Sequence, residues 1–226
     1  GSRSRVFLDD FRAKAESTIR QPTHIGHYRF NPETLVGSFD EGAGGQVFLW
    51  TQLGATRTPE KHPYAMGADL AWGTGGSQAN NSAVEVIDLV TMEQVLEFVT
   101  NTMPPPKFAE LCVSLARWFH NAYFAWEHMG PGGEFGKRVL EIGYTNVYRR
   151  TVNEASTNSH RKKTKLVGWT SQNQEIREGM FTGLSMAVVD GQLVLRSKSL
   201  VEETCQYIFE DGKIVHSGSK RSEDGA

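Results

Sequence analysis

Tyr64-Ala65-Met66-Gly67-Ala68-Asp69-Leu70-Ala71-Trp72-Gly73 is the stretch whose reading decides the fold. Small and hydrophobic residues up to Ala68 read as a buried strand, and a carboxylate closes the run just ahead of the turn Gly73-Thr74-Gly75-Gly76. An acid where a sheet meets solvent has two readings, the cap of a turn or part of a site. Which one holds depends on the partners that the rest of the chain brings to it.

Downstream, apolar runs at Ala83 to Val90 and Val95 to Val99 predict two further strands. Only Thr91-Met92-Glu93 lies near their junction, so the connection is tight and the pair antiparallel. After Pro104-Pro105-Pro106, the recurrence of Phe108, Leu111, Cys112, Leu115 and Phe119 marks one buried helical face. The chain then runs into Ala122-Tyr123-Phe124-Ala125-Trp126-Glu127, a fourth strand that also ends in a carboxylate. A strand, a helical crossover and a strand imply parallel pairing in one sheet. Gly130-Pro131-Gly132-Gly133 breaks the chain, a helix is expected from Glu134 to Ile142 with Gly143 as its cap, and Thr145 to Tyr148 reads as a fifth strand. Two more helices, Gln174 to Val188 and Leu200 to Phe209, and a strand at Lys213 to His216 complete this part. Upstream, residues 3–21 suit a short amphipathic helix. Residues 22–63, with apolar islands at Thr34 to Val36 and Val47 to Trp50, read as a lead-in with one or two edge strands. The expected organisation is a lead-in over 1–63 and one α/β domain over 64–226.

The 226 residues, 38% of them hydrophobic, suffice for a sizeable core. Lys+Arg 24 against Asp+Glu 26 gives a net charge of −2, so nucleic-acid binding requires a local patch. Cys112 and Cys205 fall on apolar helical faces and are expected to be reduced, which suits an intracellular protein. No run approaches the roughly 18 apolar residues of a membrane span. Gly42-Ala43-Gly44-Gly45 and Gly73-Thr74-Gly75-Gly76 lack the Lys-Ser/Thr ending of a phosphate-cradling loop, which leaves no nucleotide-binding motif. Gly1-Ser2 reads as a cloning remnant, so the chain is expected to be a piece of a longer protein.

Asp69 and Glu127 thus end two strands that the topology allows to be parallel neighbours, about 4.8 Å apart. They are either two unrelated surface acids or a pair converging on a cation. Close carboxylates repel unless neutralised, and hard oxygen donors suit Mg²⁺ or Mn²⁺. Two such ions about 3.5 to 4 Å apart promote phosphodiester hydrolysis. Arg149, Arg150, Arg161, Lys162, Lys163 and Lys165 lie in a polar segment with no apolar period, read either as a solvated loop or as a hairpin touching phosphates. His120 and His128 have no ligand-spaced Cys or His partner for zinc. The Trp residues at 50, 72, 118, 126 and 169 suit core or rim packing.

The order of three antiparallel strands, helix, strand, helix, strand resembles the ribonuclease H-like fold, and the text resembles the nuclease domain of the large terminase subunit of tailed bacteriophages. Gly67-Ala68-Asp69-Leu70-Ala71-Trp72-Gly73 matches that family's Gly-x-Asp-x-x-x-Gly motif. Trp126-Glu127-His128-Met129-Gly130-Pro131-Gly132 matches its acid before a glycine turn, and Gly143-Tyr144-Thr145-Asn146-Val147-Tyr148-Arg149-Arg150 matches its Gly-Tyr-x-Asn-x-Tyr-x-Arg stretch. The match runs from about Trp50 to His216, and its strength lies in the order and spacing of short motifs.

The resemblance implies a central mixed sheet of five or more strands with helices on both faces. It also implies a metal-dependent endonuclease that cuts double-stranded DNA during genome packaging with little sequence preference, with Asp69 and Glu127 as catalytic metal ligands. Its further implications are Mg²⁺ or Mn²⁺ in a two-metal site, an ATPase domain of the same full-length protein, portal and small terminase subunit as partners, and the host cytoplasm as location. The family's third acid, in a His-x-Asp or Asp-Asp context opening a late helix, is not matched. Asp224 has no helix after it, Asp211 is expected at a helix-strand turn, and the third ligand is expected beyond residue 226. Two alternatives stand beside this reading: another ribonuclease H-like nuclease of the resolvase or integrase type, and an inactive module of the same fold that binds DNA or a partner.

Overall fold

Seven strands form the sheet that carries both acids, and the computed structural model describes residues 3–76, 79–154, 162–171 and 174–217. The chain divides into two compact units, residues 22–171 and residues 1–21 with 172–226. In the larger unit the strands are β2 (His24–Phe30), β3 (Gly37–Glu41), β4 (Val47–Leu49), β5 (Tyr64–Asp69), β6 (Ser82–Asp88), β7 (Glu93–Thr100) and β8 (Tyr123–Trp126), in the spatial order β3-β2-β4-β7-β6-β5-β8. Every neighbouring pair is antiparallel except β5 and β8, which are parallel. That exception follows from the crossover through α2 (Pro105–Trp118), as strand, helix and strand in one sheet require.

Alternation of side chains sorts the sheet into two faces. Tyr64, Met66 and Ala68 of β5 face the core with Val84 and Val86 of β6, Leu96 and Phe98 of β7, and Phe124 and Trp126 of β8. Both helices of this unit, α2 and α3 (Pro131–Glu141), cover that face: Phe108, Leu111, Cys112 and Leu115 descend from α2, and Phe135 and Val139 from α3. Phe135 meets Phe108, Phe124 and Trp126 at ring-centroid distances of 5.9, 5.7 and 5.5 Å. Across the helix pair, Arg138 forks onto Glu110 Oε1 through Nε at 3.1 Å and Nη2 at 2.9 Å. β9 (Arg149–Glu154) and β10 (Lys162–Val167) make a separate antiparallel hairpin where a polar loop or hairpin was expected.

Residues 22–63 are more than a lead-in. They supply β2, β3 and β4, and β4 is an interior strand between β2 and β7, so the unit boundary falls at residue 22 and not at 64. The Val47 to Trp50 island marks β4, whereas Thr34 to Val36 forms the turn before β3. β2 escapes a periodicity reading because the core side of its first half carries His24 and Gly26, which give little hydrophobic signal ahead of Tyr28 and Phe30. Thr145 to Tyr148 is not a full strand; only Val147 bridges to Phe124.

The smaller unit joins α1 (Asp9–Thr18), α4 (Gln174–Val189) and α5 (Lys198–Thr204) to a three-stranded sheet of β1 (Arg3–Arg5), β11 (Tyr207–Glu210) and β12 (Lys213–His216), in the order β1-β11-β12. Phe7, Phe11, Ala15, Val188, Leu195 and Val201 form its core. The helix expected over residues 3–21 is confined to α1, preceded by β1. The helix expected from Leu200 to Phe209 stops at Thr204, because Tyr207, Ile208 and Phe209 pair with β12 across an Asp211-Gly212 turn. Both turn residues have positive φ, 50° and 76°, the backbone a two-residue hairpin demands. Cys112 is fully buried, which pushes its thiol up, and Cys205 caps the end of α5; both are free.

Candidate active site

The last registered pair of β5 and β8 is Ala68 with Trp126. Both of these face the core, at 8% and 0% exposure, so the next residue on each strand, Asp69 and Glu127, faces the other way. Parallel neighbours lie about 4.8 Å apart, and the two acids therefore occupy adjacent positions on one face at the carboxyl ends of both strands. This is the juxtaposition that the two acid-before-glycine motifs require. Asp69 is exposed and its Oδ1 accepts the Leu70 N–H at 2.9 Å. Glu127 is half-buried.

Local backbone explains why Glu127 stands where it does. Gly130, with φ 56°, turns the chain out of β8, and Pro131 opens α3, where its missing N–H costs nothing. Gly132 packs onto the Glu127 carbonyl so closely that a Cβ there would lie 1.8 Å from that oxygen. The glycine turn after the acid is thus a spacing requirement. α3 can start beside Glu127 only if this position has no side chain.

A segment without any motif of its own completes the arrangement. After β10, Gly168 to Ser171 runs along the end of β8: Trp169 N–H donates to Trp126 O at 3.0 Å, and His128 N–H donates to Trp169 O at 2.9 Å. Two residues on, Ser171 donates to Glu127 Oε1 from its backbone N–H at 3.2 Å and from its hydroxyl. No period or spacing signals Ser171, because its role comes from the register of a non-local pairing.

The cationic residues divide. Arg149 and Lys165 are exposed, and the pairing of Arg149 with Val167 and of Lys165 with Thr151 sets them on one face of the hairpin. Arg150 turns back instead: its Nη1 donates to Val167 O and Gly168 O, each at 2.8 Å, bracing the exit of the hairpin. Lys162 and Lys163 lie on β10, and Arg161 lies outside the described residues.

His120 Nε2 contacts Pro59 O at 2.9 Å, and His128 donates its backbone N–H to Trp169 O. Among the described residues, no group of three or more His, Cys, Asp or Glu side chains is placed to hold a metal ion. Asp211 sits in the β11–β12 turn of the smaller unit, a strand-strand turn where a helix-strand turn was expected, and Asp224 lies outside the described residues. Of the five Trp residues, Trp118 and Trp126 are core, while Trp72, three residues after Asp69, is 54% exposed at the rim.

No family model and no curated protein sequence matches the chain. Among solved structures it is similar to the large terminase nuclease from thermophilic phage G20c with bound magnesium, at 15% identity and a TM-score of 0.60 over 95% of this chain and 90% of that one. The same nuclease with bound cobalt aligns at 14% identity and a TM-score of 0.61, over 93% and 89%. The Thermus phage P74-26 large terminase nuclease domain aligns at 14% identity and a TM-score of 0.54, over 87% and 77%. The chain has the fold of these nucleases, a mixed α/β sheet of more than five strands as the resemblance implied, with α2 and α3 both on its core face where helices on both faces were expected.

Proposed function

We propose that this chain is the metal-dependent endonuclease domain of a viral large terminase, cutting double-stranded DNA with little sequence preference during genome packaging in the host cytoplasm. The observation that carries the reading is the β5–β8 register, which sets Asp69 and Glu127 side by side on the open face. Their chemistry fits a hard divalent cation, Mg²⁺ or Mn²⁺, since both offer carboxylate oxygens and Ser171 engages only Oε1 of Glu127. A divalent cation held there by Asp69 and Glu127 would supply charge neutralisation at the scissile phosphate and a more acidic water molecule. That the phage G20c nuclease carries magnesium or cobalt on the same fold supports this choice.

The chain's own residues would do the rest. Asp69 and Glu127 would orient the cation, while Arg149 and Lys165 of the hairpin, with Lys162 and Lys163 on β10 and Arg161 next to them in the sequence, would attract the phosphate backbone. Contacts of that kind position a duplex without reading its bases, which accounts for low sequence preference. An ATPase domain, a portal and a small terminase subunit are the partners this role requires. The test is cleavage of supercoiled plasmid with Mn²⁺ by the wild-type chain and by Asp69→Asn and Glu127→Gln. Loss of metal-stimulated cutting in both is expected, and cutting that survives either change unaltered overturns the assignment. Equal cleavage of branched and linear duplexes separates this function from a junction resolvase.

A further inference from the structure

The geometry points to Ser171 as a positioning residue for Glu127, through which the bracing of the β9–β10 hairpin sets the candidate metal site. This inference rests on the metal-binding role proposed for Glu127.

A glutamate side chain has three rotatable bonds, and a carboxylate at a half-exposed strand end samples many orientations unless donors fix it. Ser171 provides two donors to one oxygen, its backbone N–H at 3.2 Å and its hydroxyl. With Oε1 tied down, the orientation of the other carboxylate oxygen is set as well. Outer partners of this kind govern the affinity of metal-ligating carboxylates.

Ser171 is itself placed by the hairpin's exit. Gly168 N–H donates to Tyr148 O at 3.0 Å, and Trp169 is bonded on both sides to β8 through Trp126 O and the His128 N–H. Gly168 has φ 73°, and a Cβ there would meet Trp126 O at 3.0 Å and His128 Cβ at 3.2 Å, so the approach to β8 requires glycine. Arg150 then holds the carbonyls of Val167 and Gly168 with a single nitrogen. A continuous set of bonds therefore runs from the base of the cationic hairpin to one oxygen of Glu127. A hairpin displaced by its ligand moves the donor of that oxygen.

Mn²⁺ affinity, measured by electron paramagnetic resonance titration without DNA, tests this in the wild type and in Ser171→Ala, Ser171→Thr and Arg150→Gln, each confirmed folded by circular dichroism. Ser171→Ala is expected to weaken Mn²⁺ binding by about 10-fold or more, the cost typical of losing an outer-shell partner, with Ser171→Thr restoring most of it. Arg150→Gln separates two causes by sign. Removing a positive charge should by Coulomb's law tighten cation binding, whereas loss of the brace should weaken it. Unchanged affinity in Ser171→Ala overturns the inference, and tighter binding in Arg150→Gln overturns the hairpin link. If Asp69→Asn and Glu127→Gln also leave Mn²⁺ affinity unchanged, it is the metal-site reading itself that fails.

Discussion

Carboxylates stand at both ends of the β5–β6 strand pair, and their surroundings differ. At one end Asp88 pairs in register with Tyr64, is 4% exposed, and has its oxygens taken up. His62 Nδ1 lies 2.7 Å from Oδ2, and Oδ1 accepts the Val90 N–H at 2.8 Å and the Thr91 N–H at 3.4 Å. At the other end Asp69 pairs with Ala83, is exposed, and has Glu127 of the parallel strand beside it. Asp88 closes a turn and holds a histidine, and a buried acid so satisfied is structural. Asp69 and Glu127 put two like charges side by side, the repulsion that the proposed cation would neutralise. Position at a strand end does not distinguish the two kinds of acid. The neighbouring strand does.

The largest expected effect contrasts the two ends directly. Asp69→Asn should reduce Mn²⁺-dependent cleavage by more than the roughly 100-fold that loss of an outer-shell partner costs, with little change in the thermal midpoint. Asp88→Asn should lower the midpoint and leave cleavage standing; a catalytic defect in Asp88→Asn without a stability defect would break the contrast. Next comes the buried side of the same strands. Phe124→Ala, at 0% exposure, should cost about 3–5 kcal/mol in urea denaturation, since the cavity opens between Trp126 and Phe135.

A smaller effect is expected at the hairpin. Changing Arg149 and Lys165 to Gln should flatten the dependence of log K on log salt by about 0.9 for each phosphate no longer neutralised, measured by fluorescence anisotropy on a duplex. An unchanged slope would return these residues to the role of a solvated face. The smallest effect is a pH dependence at the Asp88 end. Hydrogen bonding to Asp88 raises the His62 pKa, so the stability that this pair contributes is fully present below the unfolded histidine value of about 6.5 and is lost as pH rises through the raised folded value. The midpoint difference between wild type and Asp88→Asn should therefore shrink from pH 5.5 to 8.5, and a difference that grows with pH would assign the stabilisation to another group.

Much of the larger unit was legible in advance. The strands at Tyr64–Asp69, Ser82–Asp88 and Glu93–Thr100, the helix at Pro105–Trp118 and the parallel return at Tyr123–Trp126 all carry periodic or continuous apolar signals, and the crossover rule orders the last of them. β2 was hidden because His24 and Gly26 occupy the first of its core-facing positions, and β11 because Leu200 to Phe209 reads as one helix until the Asp211-Gly212 turn is recognised.

By itself the sequence determined that Asp69 and Glu127 end two strands, since side-chain periodicity and glycine turns are local properties. Only the tertiary structure decided that they share a face and a neighbourhood. That depends on the Ala68–Trp126 register, and a shift of one residue would have turned one acid into the core. The hold of Ser171 on Glu127 was likewise decided in three dimensions, because a hydrogen bond across 44 residues leaves no periodic trace in the chain.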